Sequence, residues 1–271
     1  MRVGTFLCAL LALVATAHAD EAADVQALNE ALDRRDFATA FRLATPLAEQ
    51  GNPASQYDLA LMYYTGQGTP RDYAAALQWF LKAAEQNDAK AQFNAGFMYE
   101  NAQGVPQDHA EALGWYRRAA AQGDAGAEYN LGLMYESGFG VPQNYGEAMD
   151  WYRKAADQGH AAAQSGIGLL YNKGRGVTQD YAEAAKWYRL AADQGDSKAQ
   201  FNLGVLCYNG QGVAKNLVEA HLWFSLAASH STDSKAAENR DLVASEMKPG
   251  QIAEAERLRS EWEAQRRDAK K

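Results

Sequence analysis

The sequence predicts an all-α fold, a solenoid of short helix–turn–helix repeats with capping helices at both ends. Each tryptophan of one series is followed directly by Phe or Tyr, and a pair of alanines follows that aromatic residue three and four positions later. A Gly-x-Gly turn recurs in the same register. A fixed period of this size is typical of stacked repeats, since one repeat alone cannot bury its apolar face. The tryptophans stand 36 residues apart, at Trp79, Trp115, Trp151, Trp187 and Trp223.

Residues 124–159 show how one repeat is built. Residues 138–142, Gly-Phe-Gly-Val-Pro, predict a turn, because glycine permits the positive φ that ends a helix and proline prevents the helix from continuing. Asn144 then stands at the N-cap of the second helix, and Glu147 follows at the spacing of a capping box. In the fourth repeat His160 takes the cap position of the first helix, where we expect a weak cap.

Small residues recur inside the first helix of each repeat, and we expect them to let the two helices of a repeat approach closely. The tryptophan and the aromatic residue after it would fill the space that is left. Burial of one such aromatic side chain contributes ~2–3 kcal/mol, so five Trp–aromatic pairs are expected to dominate the core. The small residues are Gly96, Gly132, Gly168 and Gly204, with Ala60 in the first repeat.

The repeated pattern reads A-x-x-x-L-G-x-M-Y, then G-x-G-V, D-Y-x-E-A and W-Y-x-x-A-A-x-Q-G, and it is nearly complete in residues 124–159. In this pattern the chain resembles the Sel1-like repeat family, a branch of the tetratricopeptide-like helical repeats. The resemblance covers about two thirds of the chain and implies a right-handed α-solenoid. It also implies a protein that supplies a binding surface for other proteins.

Five segments follow from these patterns. They are a signal peptide (1–19), N-terminal capping helices formed by a degenerate repeat (20–51), five repeats of 36 residues (52–230), a C-terminal capping helix pair (231–267) and a short tail (268–271).

The first residues predict export from the cytoplasm. Arg2 gives a short positive region, residues 6–15 an apolar region, and Ala17-His18-Ala19 the A-x-A pattern of a cleavage site before Asp20. The uncharged run 3–17 is too short for a bilayer, which needs roughly 20 apolar residues. We therefore expect a periplasmic or secreted protein that begins at Asp20, with no membrane span.

Charge and cysteine content exclude several classes of protein. The formal charge of the chain is −8. Proteins that bind nucleic acids or anionic membranes instead carry clustered Lys and Arg. After cleavage Cys207 is the only cysteine, so no intramolecular disulfide is possible. It stands where the other repeats have tyrosine, and we expect it to be a buried core residue.

Nothing in the sequence predicts a catalytic, cofactor or metal site. The Gly-x-Gly turns follow helices, not strands, so they are turns and not phosphate-binding loops. The histidines His109, His160, His221 and His230 occupy different repeat positions and form no convergent set. Some cysteine-rich relatives were assigned β-lactamase or penicillin-binding activity, but they carry a disulfide in each repeat, which this chain lacks. We therefore predict that the protein is not an enzyme.

The candidate binding residues lie on the first helices, which line the concave face by analogy with tetratricopeptide units. Aromatic residues beside asparagines could hold an extended or helical peptide, the amides pairing with its backbone; alternatively, the asparagines satisfy polar groups between repeats. Ser165 and Gly166 interrupt the stripe in the fourth repeat and predict a local pocket. The predicted partner-binding residues are Tyr57, Phe93, Asn94, Tyr129, Asn130, Phe201, Asn202, Lys90 and Lys198.

These observations predict an exported scaffold, adaptor or regulator of the cell envelope that binds a partner protein on this face. The alternative is an immunity protein that neutralises a secreted toxin, a role reported for some exported relatives. A hydrolase of cell-wall or β-lactam substrates is a third and less favoured hypothesis.

Overall fold

The computed structural model describes residues 21–230 and 234–268. Across these two ranges the chain forms α-helices and no strand, which confirms the all-α prediction. The predicted signal peptide lies outside the described residues.

The helices follow one another as antiparallel pairs. Their bounds are α1 (21–33), α2 (Phe37–Glu49), α3 (Pro53–Thr65), α4 (Tyr73–Glu85), α5 (Ala89–Glu100), α6 (His109–Ala120), α7 (Ala125–Ser137), α8 (Tyr145–Asp157), α9 (Ala161–Lys173), α10 (Tyr181–Asp193), α11 (Ser197–Asn209), α12 (Leu217–His230), α13 (Lys235–Glu246) and α14 (Pro249–Asp268). The chain divides into two compact units, one ending at Asp124 and one beginning at Ala125. Unit 1 therefore holds α1–α6, and unit 2 holds α7–α14.

The caps form where the sequence places them. The Asn144 side chain accepts the backbone N–H groups of Gly146 and Glu147 at 3.0 and 3.2 Å, so the second helix of the third repeat begins as predicted. His160 does cap its helix, since Nδ1 accepts the Ala163 N–H at 3.3 Å. The corresponding distance at Asp88 is 2.7 Å, which agrees with a weaker cap at His160.

The core of each repeat is built on the aromatic residue that follows the tryptophan. In unit 2 the Tyr152 ring is 0% exposed and lies directly on the first helix. A Cβ atom added to Gly132 would stand 2.4 Å from Tyr152 Cδ1, so only glycine permits this approach. The same contact joins Gly96 to Tyr116, Gly168 to Tyr188 and Gly204 to Phe224.

The tryptophans themselves do not fill the core as expected. Trp79, Trp115, Trp151 and Trp187 are partly exposed, and only Trp223 is buried, at 3% exposure. The Lys154 ammonium lies 3.8 Å from the centre of the Trp151 ring, on the solvent side of α8. The expectation of five core Trp–aromatic pairs is therefore wrong for four of the tryptophans. Adjacent helical residues point about 100° apart, so only one member of each pair can face the glycine.

A ladder of side-chain amides joins successive repeats within each unit, each exposed glutamine donating to a buried one, and the sequence analysis missed it. Gln92 is 0% exposed and donates to the Ala84 carbonyl at 3.0 Å, while Gln122 donates to the Gln92 side-chain oxygen at 2.8 Å. In unit 2, Gln194 donates to Gln164 in the same way at 2.8 Å. The 36-residue spacing of these glutamines was the available signal, since buried polar groups need such partners.

At the C-terminal end, α13 and α14 both pack against α12. Their apolar residues, including Val243 and Ala255, close a cluster that contains Trp223 and Cys207. Cys207 is 1% exposed, which confirms the predicted buried position.

Candidate partner-binding site

Three first helices of unit 2, α7, α9 and α11, line one cavity of about 120 Å³. It lies at Ser165 and Gly166, where the interrupted stripe predicted a pocket. The lining side chains sit at helical spacing on each helix, so all three helices turn the same face toward the cavity. They are Tyr129, Leu133 and Glu136 from α7, Ala162, Ser165, Gly166 and Leu169 from α9, and Lys198 and Asn202 from α11, with Tyr152 of α8 beneath.

The floor of this cavity depends on two small residues. A Cβ atom added to Gly166 would stand 3.0 Å from Tyr152 Cε2, so the fourth repeat has only backbone above that ring. Ser165 is 8% exposed, and within the described residues its hydroxyl makes no hydrogen bond. The place that an aromatic ring takes in the other repeats is therefore left open.

Tyr129 forms one wall and is held from two sides. Its ring stacks on the His160 ring with centroids 4.8 Å apart, and it lies 5.8 Å from the Tyr152 ring. Burial raises the pKa of the Tyr129 hydroxyl, so the phenol is neutral at physiological pH. The wall is thus apolar and fixed in position.

Glu136 brings a carboxylate to the cavity, but its charge is already engaged. The Tyr152 hydroxyl donates to Glu136 Oε2 at 2.6 Å, and Arg175 Nη1 lies 3.6 Å from Glu136 Oε1. Burial and this carboxylate raise the pKa of Tyr152, which keeps the hydroxyl as the donor. Lys198 also lines the cavity, and its ammonium has no ion-pair partner in the described part of the chain.

The predicted aromatic residues are half-buried, and their rings are part of the packing of the core. Each ring packs on the buried aromatic of its own repeat at 5.5–5.8 Å, because the first helix also covers that ring. Truncation of one of them would therefore disturb the fold as well as any binding surface. The pairs are Tyr57 with Phe80, Phe93 with Tyr116, Tyr129 with Tyr152, and Phe201 with Phe224.

The asparagines divide between the two interpretations. Asn94 donates to the Lys90 carbonyl at 2.8 Å and to the Tyr57 hydroxyl at 3.5 Å, so its amide joins α5 to α3 in unit 1. Asn130 and Asn202 make no hydrogen bond within the described residues. Their amides are therefore available to a partner, as are the exposed side chains of Lys90 and Lys198.

In the first repeat Asp58 stands where three other repeats have asparagine. Burial raises the pKa of this carboxyl from 3.8 to about 6, and the nearby Asp88 charge adds to the shift. The repeat register alone shows that Asp58 replaces an asparagine but not how far its carboxyl is removed from water. An ionised carboxylate in that position is destabilising unless a cation neutralises it.

Three further features of the described residues concern metal ligands, the cysteine and membrane spans. No group of three or more His, Cys, Asp or Glu side chains in residues 21–230 and 234–268 could hold a metal ion. Burial raises the pKa of the Cys207 thiol to about 12, so the thiol is protonated at neutral pH. Among the helices of the same ranges, none is both long enough and apolar enough to cross a bilayer.

Comparisons with known proteins agree with this geometry. The Sel1 repeat model matches five consecutive segments, 53–88, 89–124, 125–160, 161–196 and 197–231. A crystal structure of a Sel1 repeat protein from Oxalobacter formigenes is 34% identical with a TM-score of 0.74, over 84% of this chain and 89% of that one. No curated protein matches the chain.

Two further structures are more distant. A protective antigen of uropathogenic Escherichia coli strains, displaying an SLR fold, is 31% identical with a TM-score of 0.56. The match covers 83% of this chain but only 56% of the antigen. An immunity protein from Pseudomonas aeruginosa is 20% identical with a TM-score of 0.49, over 71% of this chain and 74% of that one.

Proposed function

Because this chain belongs to the Sel1 repeat family, whose helical scaffold is typical of protein–protein interaction, we propose that it binds another protein through its first-helix face. By this face we mean the second, fifth and sixth residues of each first helix. In unit 2 it carries the cavity at Ser165 and the amides of Asn130 and Asn202. The observation that carries the proposal is this combination of an open cavity with polar side chains that have no hydrogen-bond partner in the described chain.

The chemistry of this face suits an extended segment of a partner protein. Partly exposed rings such as those of Tyr129 and Phe201 offer apolar contact area while their inner edges stay fixed by the core. Aromatic residues carry much of the binding energy in protein interfaces. Free amides can exchange hydrogen bonds with a partner backbone, which fixes its register.

We further propose that the protein acts in the periplasm or outside the cell, as an adaptor or regulator of envelope complexes. The support is the pattern of Arg2, the apolar residues 6–15 and the A-x-A site before Asp20. Fractionation of the native organism followed by N-terminal sequencing tests this proposal. The expected result is an exported protein that begins at Asp20, and an exported protein that retains Met1 would contradict it.

Capture from periplasmic extract with the tagged mature protein, followed by mass spectrometry, should identify the partner. The identity of the partner also separates the adaptor role from the immunity role. An envelope component supports the adaptor role. A secreted toxin that loses its activity when one equivalent of this chain is added supports immunity.

The variant N130A/N202A tests the face itself. These amides make no hydrogen bond in the described structure, so the variant should keep the thermal stability of the wild type. Affinity for the captured partner should fall at least tenfold, about 1.4 kcal/mol, by calorimetric titration. D150A/R153A changes two exposed side chains of α8 and serves as the control. If N130A/N202A binds like the control, the partner uses another surface.

A further inference from the structure

We propose that the cavity at Ser165 and Gly166 receives one aliphatic side chain of the partner, of the size of leucine, and that an acidic side chain next to it pairs with Lys198. The inference rests on the proposed function and specifies the partner's chemistry at one point of the first-helix face. It names a sequence feature that the partner should contain, an aliphatic residue beside Asp or Glu.

The size and lining of the cavity select an aliphatic side chain. Its volume is about 120 Å³, and an engineered apolar cavity of about 150 Å³ binds one benzene molecule. Leu, Ile and Met are smaller than Phe and therefore suit a cavity of this size better. Tyr129, Leu133 and Leu169 supply apolar walls, which favour an aliphatic side chain over a charged one.

The cavity lies where the fourth repeat departs from the pattern of its neighbours in unit 2. In the third and fifth repeats the equivalent residues are Tyr129 and Phe201, whose rings cover Tyr152 and Phe224. At Ser165 the hydroxyl leaves that volume open. Ser165 as a whole residue is 8% exposed, and its hydroxyl makes no hydrogen bond in the described structure, so the hydroxyl can donate to a carbonyl group of the partner.

The charges at the rim of the cavity favour an acidic residue next to the aliphatic side chain of the partner. Glu136 is already engaged by the Tyr152 hydroxyl and by Arg175, so a second cation from the partner gains little there. Lys198 is exposed at the opposite edge, on α11, and has no ion-pair partner in the described chain, although the whole protein carries a net charge of −8. A carboxylate is its complement. Asn202, one turn further along α11, can hold the adjacent peptide group.

The first experiment titrates the mature protein, labelled with ¹⁵N, with short blocked peptides. The probes are acetylated and amidated Gly/Ser peptides that carry Leu-Asp, Ala-Asp, Leu-Asn or Phe-Asp at the centre. We expect Leu-Asp to shift the amide resonances of α9 and the start of α11. The other three should bind at least fivefold more weakly. No shift with Leu-Asp at millimolar concentration, or equal affinity for all four peptides, would overturn the proposal.

Two variants link the cavity to binding. S165F introduces in the fourth repeat the phenylalanine that the second and fifth repeats have at Phe93 and Phe201, and the added ring should fill space in the cavity that Ser165 lines. We expect the Leu-Asp peptide to lose at least tenfold in affinity. K198Q should leave the cavity open, but the Leu-Asp and Leu-Asn peptides should then bind with equal affinity. K173Q changes an exposed lysine of α9 that does not line the cavity, so it is the control and should change neither affinity.

The same variants separate this inference from the proposed function. If N130A/N202A weakens the captured partner but S165F and K198Q do not, the cavity inference fails and the binding face stands. If none of the three changes binding, both fail. K198Q alters an exposed side chain, so it decides the question even if S165F does not fold.

Discussion

Two second helices of unit 2, α8 in the third repeat and α12 in the fifth, occupy the same repeat position but differ in their surroundings. α8 is amphipathic: Tyr152 is buried, whereas Asp150, Arg153 and Lys154 are exposed. α12 is buried over the continuous run 220–227 and carries a single Asp, Glu, Lys or Arg, which is Glu219. A helix with an apolar surface on all sides must be covered on all sides.

The cover comes from the C-terminal helices. α11, α13 and α14 all pack against α12. Trp151 therefore lies partly in solvent beneath Lys154, whereas Trp223 at the equivalent position is 3% exposed. The comparison shows that the tryptophan of this repeat is partly buried at the edge of the core and becomes fully buried only where another element covers it.

The largest expected effect separates these two tryptophans. W223A should lower the free energy of unfolding by ~3–5 kcal/mol, the usual range for a buried large side chain, and W151A by about 1–2 kcal/mol. Urea unfolding followed by circular dichroism measures both. Equal losses would mean that α13 and α14 do not cover α12 in solution.

The glycines beneath the buried rings provide the next test. G132A would place a Cβ atom 2.4 Å from the Tyr152 ring, and G204A would place one 2.9 Å from the Phe224 ring. Overpacking of this kind costs about 1–3 kcal/mol, with the larger loss expected at Gly132.

G114A is the matched control for these glycines, since a Cβ atom there meets nothing within 4 Å. This variant should gain up to ~1 kcal/mol from helix propensity. A gain in G132A as well would contradict the close helix contact.

A smaller effect concerns Asp58, a half-buried carboxyl on the first helix of the first repeat. The folded-state pKa of Asp58 is raised from 3.8 to about 6, so its ionised form destabilises the fold fully above pH 6 and not at all below pH 3.8. D58N introduces the residue of three other repeats and should stabilise the protein by about 1–2 kcal/mol at pH 7.5, allowing for solvent screening. Thermal melts should show this advantage shrink as the pH falls from 6 to 4. A constant advantage would show that burial of charge is not the cause.

The smallest expected effect lies again in α12. Burial lowers the pKa of His221, and Arg240 adds to the shift while Glu256 and Asp241 oppose it. The folded chain therefore disfavours the imidazolium, and this contribution to stability is complete above pH 6.5 and is lost as the pH falls below it.

H221L introduces leucine, which two other repeats have at this position (Leu77 and Leu113), and should remove the dependence of stability on pH. The wild type should lose about 1 kcal/mol more than H221L between pH 7.5 and 5.5, measured by urea unfolding at each pH. Parallel losses in the two proteins would show that His221 is solvated in solution.

The local part of the fold could be predicted because its signals are local. The cap at Asn144, the turn of residues 138–142 and the close contact at Gly132 each depend on residues a few positions apart or on a fixed period. Because the five repeats share one register, each of these signals occurs several times in the sequence. The candidate face followed from the same register, and the gap at Ser165 and Gly166 was visible as a departure from it.

The sequence by itself determined the helices, their caps and the repeat, since backbone preferences and apolar periodicity act over one or two turns. Only the tertiary structure decided which of two adjacent aromatic residues enters the core, because Trp151 and Tyr152 are equally apolar and the glycine contact admits one ring. It also decided that the gap at Ser165 is an open cavity, that Asn94 is structural whereas Asn202 is free of hydrogen bonds in the described chain, and that Asp58 is partly removed from water. Each of these depends on which helix lies against which, and the few residues around each position do not specify that.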